Sequence, residues 1–137
     1  MPPVPLHSDD LPDRFRTKRV YRQPRTSDGK RILVDRLWPR GVSKERARLH
    51  SWVKEIAPSN ELREWFHENP DFWEEFRDRY MLELGHKTDL LSELATLSEN
   101  AIITFVYASR NEEQNNAVVL LEYLHNWMTK DMRGKFT

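Results

Sequence analysis

Apolar residues along the chain follow two patterns, and each pattern predicts a different element. Dense apolar runs predict buried strands at residues 31–37 and 101–108, and a shorter run predicts a strand at residues 18–21. Apolar residues at helical spacing predict amphipathic helices that start near Ser43, Ser59, Asn69, Thr88 and Asn111. The first of these helices is expected to continue to Pro58, which ends it.

The order of these elements is strand, strand, helices, strand, helix. This order predicts an α/β domain with a small, at least partly parallel sheet and amphipathic helices packed on it. We assign this single domain to residues 17–129, with a flexible arm at residues 1–16 and a tail at residues 130–137. Ligands of open α/β sheets bind beyond the carboxyl ends of the strands. Those ends are residues 35–41 and residues 107–116.

The first strand end, VDRLWPRG, carries one carboxylate and two guanidinium groups, those of Asp35, Arg36 and Arg40. Adjacent strand residues face opposite ways, so Asp35 and Arg36 cannot both point to one side. A guanidinium binds carboxylate or phosphate in a two-pronged manner, which favours an anion site reached by Arg40. The alternative is an internal Asp–Arg pair that fixes the loop. Trp38 either covers a pocket there or wedges the loop.

The second strand end, YASRNEEQNN, leads into the last helix. Asn111 is predicted to cap that helix, with Gln114 closing a capping box. A helix start suits an anion, although Glu112 and Glu113 would lie in its first turn. Asn115 and Asn116 are poor helix formers, so they indicate either ligand or loop anchoring or a solvated surface.

The charges are balanced overall but separated along the chain. Lys and Arg number 22, as do Asp and Glu, for a formal net charge of +0. Residues 13–48 hold 13 basic and 4 acidic side chains (13 − 4 = +9), and residues 55–99 hold 4 and 12 (4 − 12 = −8). Such a separation attracts an anion to the first part of the chain or lets two surfaces neutralise each other.

The composition excludes several chemistries. The chain has no cysteine, so it has no thiol catalysis and no disulfides. Its five histidines lack zinc-type spacing, so no metal site is predicted. Glycine-rich phosphate motifs are absent, and the sequence indicates no particular cofactor. No apolar run is long enough to span a membrane, and we expect a cytoplasmic protein.

Three stretches carry a family resemblance: LVDRLWPRGVSKE, WVKEIAPSNELREWF and YASRNEEQNNAVVLLEYL. They resemble the blocks of the domain-of-unknown-function-488 family, in its short YeaO-like branch, across residues 19–124. The resemblance implies a small bacterial α/β protein and implies no particular activity. The chain departs from the branch at Gln114, where a histidine is common. The residues that the resemblance supports are Asp35, Arg36, Trp38, Pro39, Arg40, Gly41, Tyr107, Glu112, Glu113, Asn115 and Asn116.

Three hypotheses for the function follow. The first is an enzyme that binds a small phosphate, carboxylate or nucleotide-like anion. Its predicted catalytic residues are Asp35, Arg36 and Glu113, and its predicted ligand-binding residues are Arg40, Trp38, Tyr107, Asn115 and Asn116. The second is a nucleic-acid-binding or regulatory module, suggested by aromatic residues among the arginines of the basic region. The third is an interaction protein without catalysis, in which Asp35, Arg36 and Arg40 only hold the loop and the chain acts through a partner or a homodimer. We expect the chain itself to be a monomer or a homodimer.

Overall fold

The computed structural model describes residues 14–135, with side chains described as far as residue 130. In this part of the chain four strands form one parallel sheet in the order β1-β4-β2-β3. The strands are β1 (Phe15–Arg19), β2 (Lys30–Leu33), β3 (Ser51–Trp52) and β4 (Ile103–Tyr107). The predicted α/β class is confirmed, and the sheet is parallel throughout.

The helices follow the strands at most of the predicted places. They are α1 (Lys44–Ala47), α2 (Asn60–Glu68), α3 (Trp73–Leu84), α4 (Thr88–Ser98) and α5 (Asn116–Lys135). Short 3-10 turns occupy Thr26–Asp28 and Lys54–Ile56. Two predicted caps are confirmed: the hydroxyl of Ser43 accepts from Arg46 N at 3.1 Å, and that of Ser59 accepts from Leu62 N at 3.2 Å.

Strand β4 is an inner strand of the sheet, and all five of its residues are buried. One face packs against the main core, which includes Phe76, Tyr80 and Leu120 of the long helices. On the other face Val106 packs in a smaller cluster with Val20, Val42 and Ala47, against which Trp38 lies. Burial on both faces explains the unbroken apolar run of this strand. Because β2 and β4 are parallel neighbours, the loops that follow them start side by side.

Some of the excess basic side chains of residues 13–48 lie in a buried ion cluster. Asp28 lies 3.0 Å from Lys18 Nζ and 2.8 Å from Arg31 Nη1, and Arg31 Nε donates to Ala47 O at 2.9 Å. Burial acts to raise the pKa of Asp28, but hydrogen bonds from the Arg25 N–H and the two cations outweigh it and lower that pKa. These charges are therefore mainly structural.

The helix predicted from Ser43 to Pro58 is wrong beyond its first turn. Arg48 adopts a left-handed conformation (φ 48°, ψ 51°) and ends α1 after four residues. The chain then forms β3, and Val53 N donates to Leu33 O at 3.0 Å. Leu49, Trp52 and Val53 fit helical spacing, but β2 presents a free edge whose backbone groups need partners. Pairing with that edge overrides the local pattern.

Several boundaries also differ from the prediction. Strand β1 starts at Phe15, so it overlaps the expected arm, whose residues 1–13 lie outside the described residues. The helix expected at Asn69 starts at Trp73, because the Asn69 amide donates to Trp65 O at 2.8 Å and closes α2 instead. Helix α5 continues to Lys135, through most of the expected tail. Within residues 14–135, no helix has the length and apolar character to cross a membrane.

Candidate functional site

The loops after β2 and β4 are joined by the carboxylate of Asp35. Its Oδ2 accepts from Ala108 N at 2.9 Å, and its Oδ1 accepts from Asn116 Nδ2 at 3.0 Å. The same Asn116 nitrogen donates to Val34 O at 3.0 Å, and Trp52 Nε1 donates to Asp35 O at 2.7 Å. Side chain and backbone of Asp35 therefore tie both strand ends to the start of α5 and to β3.

Asp35 is an isolated negative group. Burial raises its pKa, and the hydrogen bonds from Ala108 and Asn116 offset that rise only in part. Among the described side chains it forms no ion pair, so the internal Asp–Arg pair considered from the sequence is not the arrangement observed. Arg36 instead donates from Nε to Pro58 O at 3.1 Å and from Nη2 to Ala57 O at 3.2 Å.

A cleft of about 550 Å³ opens beside Asp35. Four arginines line it, and Asp35 is the one carboxylate among its lining residues. With histidine neutral, the lining carries a formal charge of +3 (4 − 1). The four arginines are Arg36, Arg40, Arg63 and Arg110. Its apolar walls come from Trp38, Pro58, Phe66 and Phe76. A cleft with cationic groups and low-dielectric walls concentrates anions.

An adjoining cavity of about 320 Å³ lengthens the cleft. The two share Arg63, His67 and Gln114 among their lining residues. Gln114, the departure from the family pattern, therefore lies in the wall of the cleft. Together the two spaces can hold a molecule larger than a bare inorganic ion.

Trp38 and Arg40 occupy the outer part of the first loop. The Trp38 indole donates to Val42 O at 2.7 Å and meets Trp52 edge-on, with 5.5 Å between ring centroids. It thus wedges the loop and lines the cleft at once. The Arg40 carbonyl accepts from the Tyr21 hydroxyl at 2.8 Å, while the rest of Arg40 is exposed at the cleft.

The predicted start of the last helix is wrong by several residues. Asn115 is the cap, since its Oδ1 accepts from Val118 N at 3.0 Å and α5 starts at Asn116. Asn111 Oδ1 accepts from Gln114 N at 2.9 Å, but this bond closes a separate turn before the helix. Asparagine side chains favour both turns and helix caps. The sequence therefore offers both Asn111 and Asn115 as the residue that caps α5.

Most of the predicted site residues lie together. Those that line the cleft are Asp35, Arg36, Trp38, Arg40, Asn115 and Asn116. Glu113 and Tyr107 are not among the lining residues: Glu113 is exposed, and Tyr107 is buried in the main core. Burial raises the pKa of the Tyr107 hydroxyl. Glu112 pairs with Arg22 at 2.6 Å on the surface.

The sequence did not indicate Arg63, Phe66 or His67 of α2 as site residues. They face the cleft because α2 folds over the strand ends. The first turn of α2 is held there by Ser59, whose N and Oγ donate to the Glu83 carboxylate at 2.8 and 2.7 Å. Within the described residues, no group of three or more histidines and carboxylates is arranged to hold a metal ion.

The fold and the cleft define a small α/β protein with an arginine-lined cleft at the carboxyl ends of its strands. A family model described as "Inactive DUF488-N3 subclade" matches residues 14–136. The chain therefore belongs to the domain-of-unknown-function-488 family, as the resemblance of its sequence indicated.

Relatives agree with this assignment. The chain is 43% identical over 112 residues to uncharacterised proteins of Mycobacterium tuberculosis and Mycobacterium bovis, which covers 82% of this chain and 94% of each relative. It is 43% identical over 109 residues to the uncharacterised protein YeaO of Escherichia coli, covering 80% of this chain and 95% of YeaO. No solved structure matches the chain.

Proposed function

We propose that the chain binds a small organic anion in the cleft between the ends of β2 and β4. The observation that carries this proposal is the lining of the cleft, in which four arginines and a single carboxylate residue border a space of about 550 Å³. That volume lies within the roughly 300–1,000 Å³ typical of small-molecule sites. Guanidinium groups bind carboxylates and phosphates with directed, charge-assisted hydrogen bonds.

The arginines differ in how they are held, and this difference suggests their roles. Arg36 is fixed by two backbone carbonyls, so its remaining N–H groups are oriented before a ligand arrives. Arg40 and Arg110 are exposed, which suits attraction and closure at the rim. Arg63 has a buried Nε without a hydrogen-bond partner among the described residues. The rings of Trp38 and Phe66 offer contact to an apolar part of the ligand.

Binding without turnover is favoured over catalysis. The family model describes the subclade as inactive. Of the three residues predicted to be catalytic, Arg36 is committed to backbone carbonyls and Glu113 is not a lining residue. Asp35 remains, and its two hydrogen bonds already hold the loops together. Its role is more readily explained as positioning and recognition.

The test is a thermal-shift screen followed by calorimetry, with sugar phosphates, nucleotides and aromatic carboxylates as probes. We expect at least one probe class to stabilise the chain and the Arg40→Ala variant to bind it about 10- to 100-fold more weakly, the equivalent of one charge-assisted hydrogen bond. Arg46→Ala is the matched control, because Arg46 is exposed, lies outside the cleft lining and carries the same charge. Absence of binding by every probe, or equal losses in both variants, would contradict the proposal.

Nucleic-acid binding receives less support, because three cations of the basic region are already paired with carboxylates. Lys18 and Arg31 share Asp28, and Arg22 pairs with Glu112. Binding of single-stranded DNA or RNA that weakens steeply with salt would revive this alternative.

A further inference from the structure

We propose that the anion bound by this cleft also carries a hydroxyl or N–H group, and that Asp35 accepts a hydrogen bond from that group. This inference rests on the proposed anion binding and narrows its ligands to hydroxy, amino or amide-bearing anions. A bare anion, or an anion with a purely apolar body, would bind less well. Three features of the site lead to this conclusion.

The first feature is unused acceptor capacity. An ionised carboxylate has about four lone-pair positions for hydrogen bonds. Asp35 is given two donors, the N–H of Ala108 and the amide of Asn116. Both donors are neutral, and the Asp35 carboxylate that they bond to lines the cleft. About two acceptor positions are left for a group that enters the cleft.

The second feature is that the arginines lining the cleft do not pair with Asp35, so its carboxylate is available to a ligand. Within residues 14–130 no arginine forms a salt bridge with it, and Arg36, the nearest in sequence, is bonded to the carbonyls of Ala57 and Pro58. A partly buried carboxylate without a counter-charge is unfavourable for the protein and repels an entering anion. A donor on the ligand offsets both penalties, so the carboxylate selects for ligands that possess one.

The third feature is rigidity. The Asp35 carboxylate is held at both oxygens, and its own carbonyl accepts from the Trp52 indole at 2.7 Å. Asn116, its amide partner, is held in turn by Val34 O. A fixed acceptor discriminates between ligands more sharply than a mobile one, because it cannot move to relieve a poor contact.

The test compares probes that differ only in a donor group. The first set is benzoate, its three hydroxybenzoate isomers and the matching methoxybenzoates; the second is phenyl phosphate and the three aminophenyl phosphates. Using all isomers covers different distances between the donor and the anionic group. In at least one set, we expect one hydroxy or amino isomer to bind about tenfold or more tightly than the unsubstituted parent. In the benzoate set, that hydroxy isomer should also bind about tenfold or more tightly than the methoxybenzoate substituted at the same position. This comparison uses the unaltered protein.

Variants then separate the two proposals. Asp35→Asn should remove the preference for the donor-bearing isomer, so that this isomer and its parent anion bind the variant with similar affinity. If that variant does not fold, the exchange Asp35→Asn with Asn116→Asp keeps a carboxylate and an amide in the pair and takes its place. Arg40→Ala should weaken all probes by a similar factor.

Each result has a distinct meaning. Parents and substituted isomers that bind the unaltered protein equally would overturn the role of Asp35 and leave anion binding standing. An Asp35→Asn variant that loses affinity for every probe by the same factor would also overturn it, since Asp35 would then act only by holding the loops. Failure of all probes to bind would overturn both proposals.

Discussion

Replacing Asn116 with alanine should reveal how strongly the two strand ends depend on one amide group. Its Nδ2 donates two hydrogen bonds of 3.0 Å, one to the carbonyl of the fully buried Val34 and one to the Asp35 carboxylate. A neutral hydrogen bond contributes about 0.5–1.5 kcal/mol, and one to a charged group about 1.5–3 kcal/mol. The better helix propensity of alanine returns up to ~0.7 kcal/mol. We therefore expect the free energy of unfolding to fall by roughly 1.3–4.5 kcal/mol.

The assay is equilibrium unfolding in urea followed by far-ultraviolet circular dichroism at neutral pH. Asn126→Ala is the matched control, because Asn126 is an exposed asparagine of the same helix. It should change stability by no more than about 0.5 kcal/mol. The loss from Asn116→Ala should also be smaller in acid, where Asp35 is protonated and the charged hydrogen bond no longer exists. A loss no larger than that of the control would refute the assigned role of this amide.

Other perturbations test the rest of the structure. Asp28→Ala should cost about 3–5 kcal/mol in urea unfolding, since it leaves the buried Arg31 guanidinium without its carboxylate. Gly29→Ala should lower the melting temperature more than Gly41→Ala. Both glycines have positive φ (66° and 77°), but a Cβ on Gly29 would overlap a backbone carbonyl, whereas a Cβ on Gly41 would meet nothing within 4 Å. Equal effects of the two substitutions would contradict this difference in packing. The folded-state pKa of Asp35 is raised above 3.8, so its contribution to stability is present below that pH and is lost as the pH rises through the raised value. The pKa of Asp28 is lowered, so its contribution is present above 3.8 and is lost as the pH falls through the lowered value. Asp35→Asn and Asp28→Ala should each remove the corresponding slope from a plot of stability against pH, and an unchanged slope would count against the assignment.

The parts of the fold that depend on local pattern were predictable from the sequence. The apolar runs located β2 and β4 because both strands are buried in the sheet, where an unbroken run is required. The caps at Ser43 and Ser59 were predictable because a capping hydroxyl bonds only to its own helix turn. Strand β3 was not predictable, since the spacing of its apolar residues suits a helix as well as a strand. These residues form a strand because they pair with the edge of β2, which is distant in the sequence.

The candidate site likewise has parts that the sequence pattern predicts and parts that depend on long-range packing. The meeting of Asp35 with Asn116 could be anticipated because parallel strands deliver their following loops to one edge. The contribution of Arg63 could not. The position of Arg63 depends on how α2 lies across the strand ends, which is fixed by the bond of Ser59 to Glu83 on α3. Long-range packing of that kind leaves no periodic signal in the sequence.

The order of strands in the sheet constrains how the protein is made. Strand β1 and strand β2 are both neighbours of β4, and β4 lies between them although it comes last in the chain. Phe15 therefore has no sheet partner until Ile103 has been synthesised. While the ribosome is still producing the helices, β2 can pair with β3, but β1 must wait. A nascent chain should gain resistance to protease in one late step, once Tyr107 has left the exit tunnel.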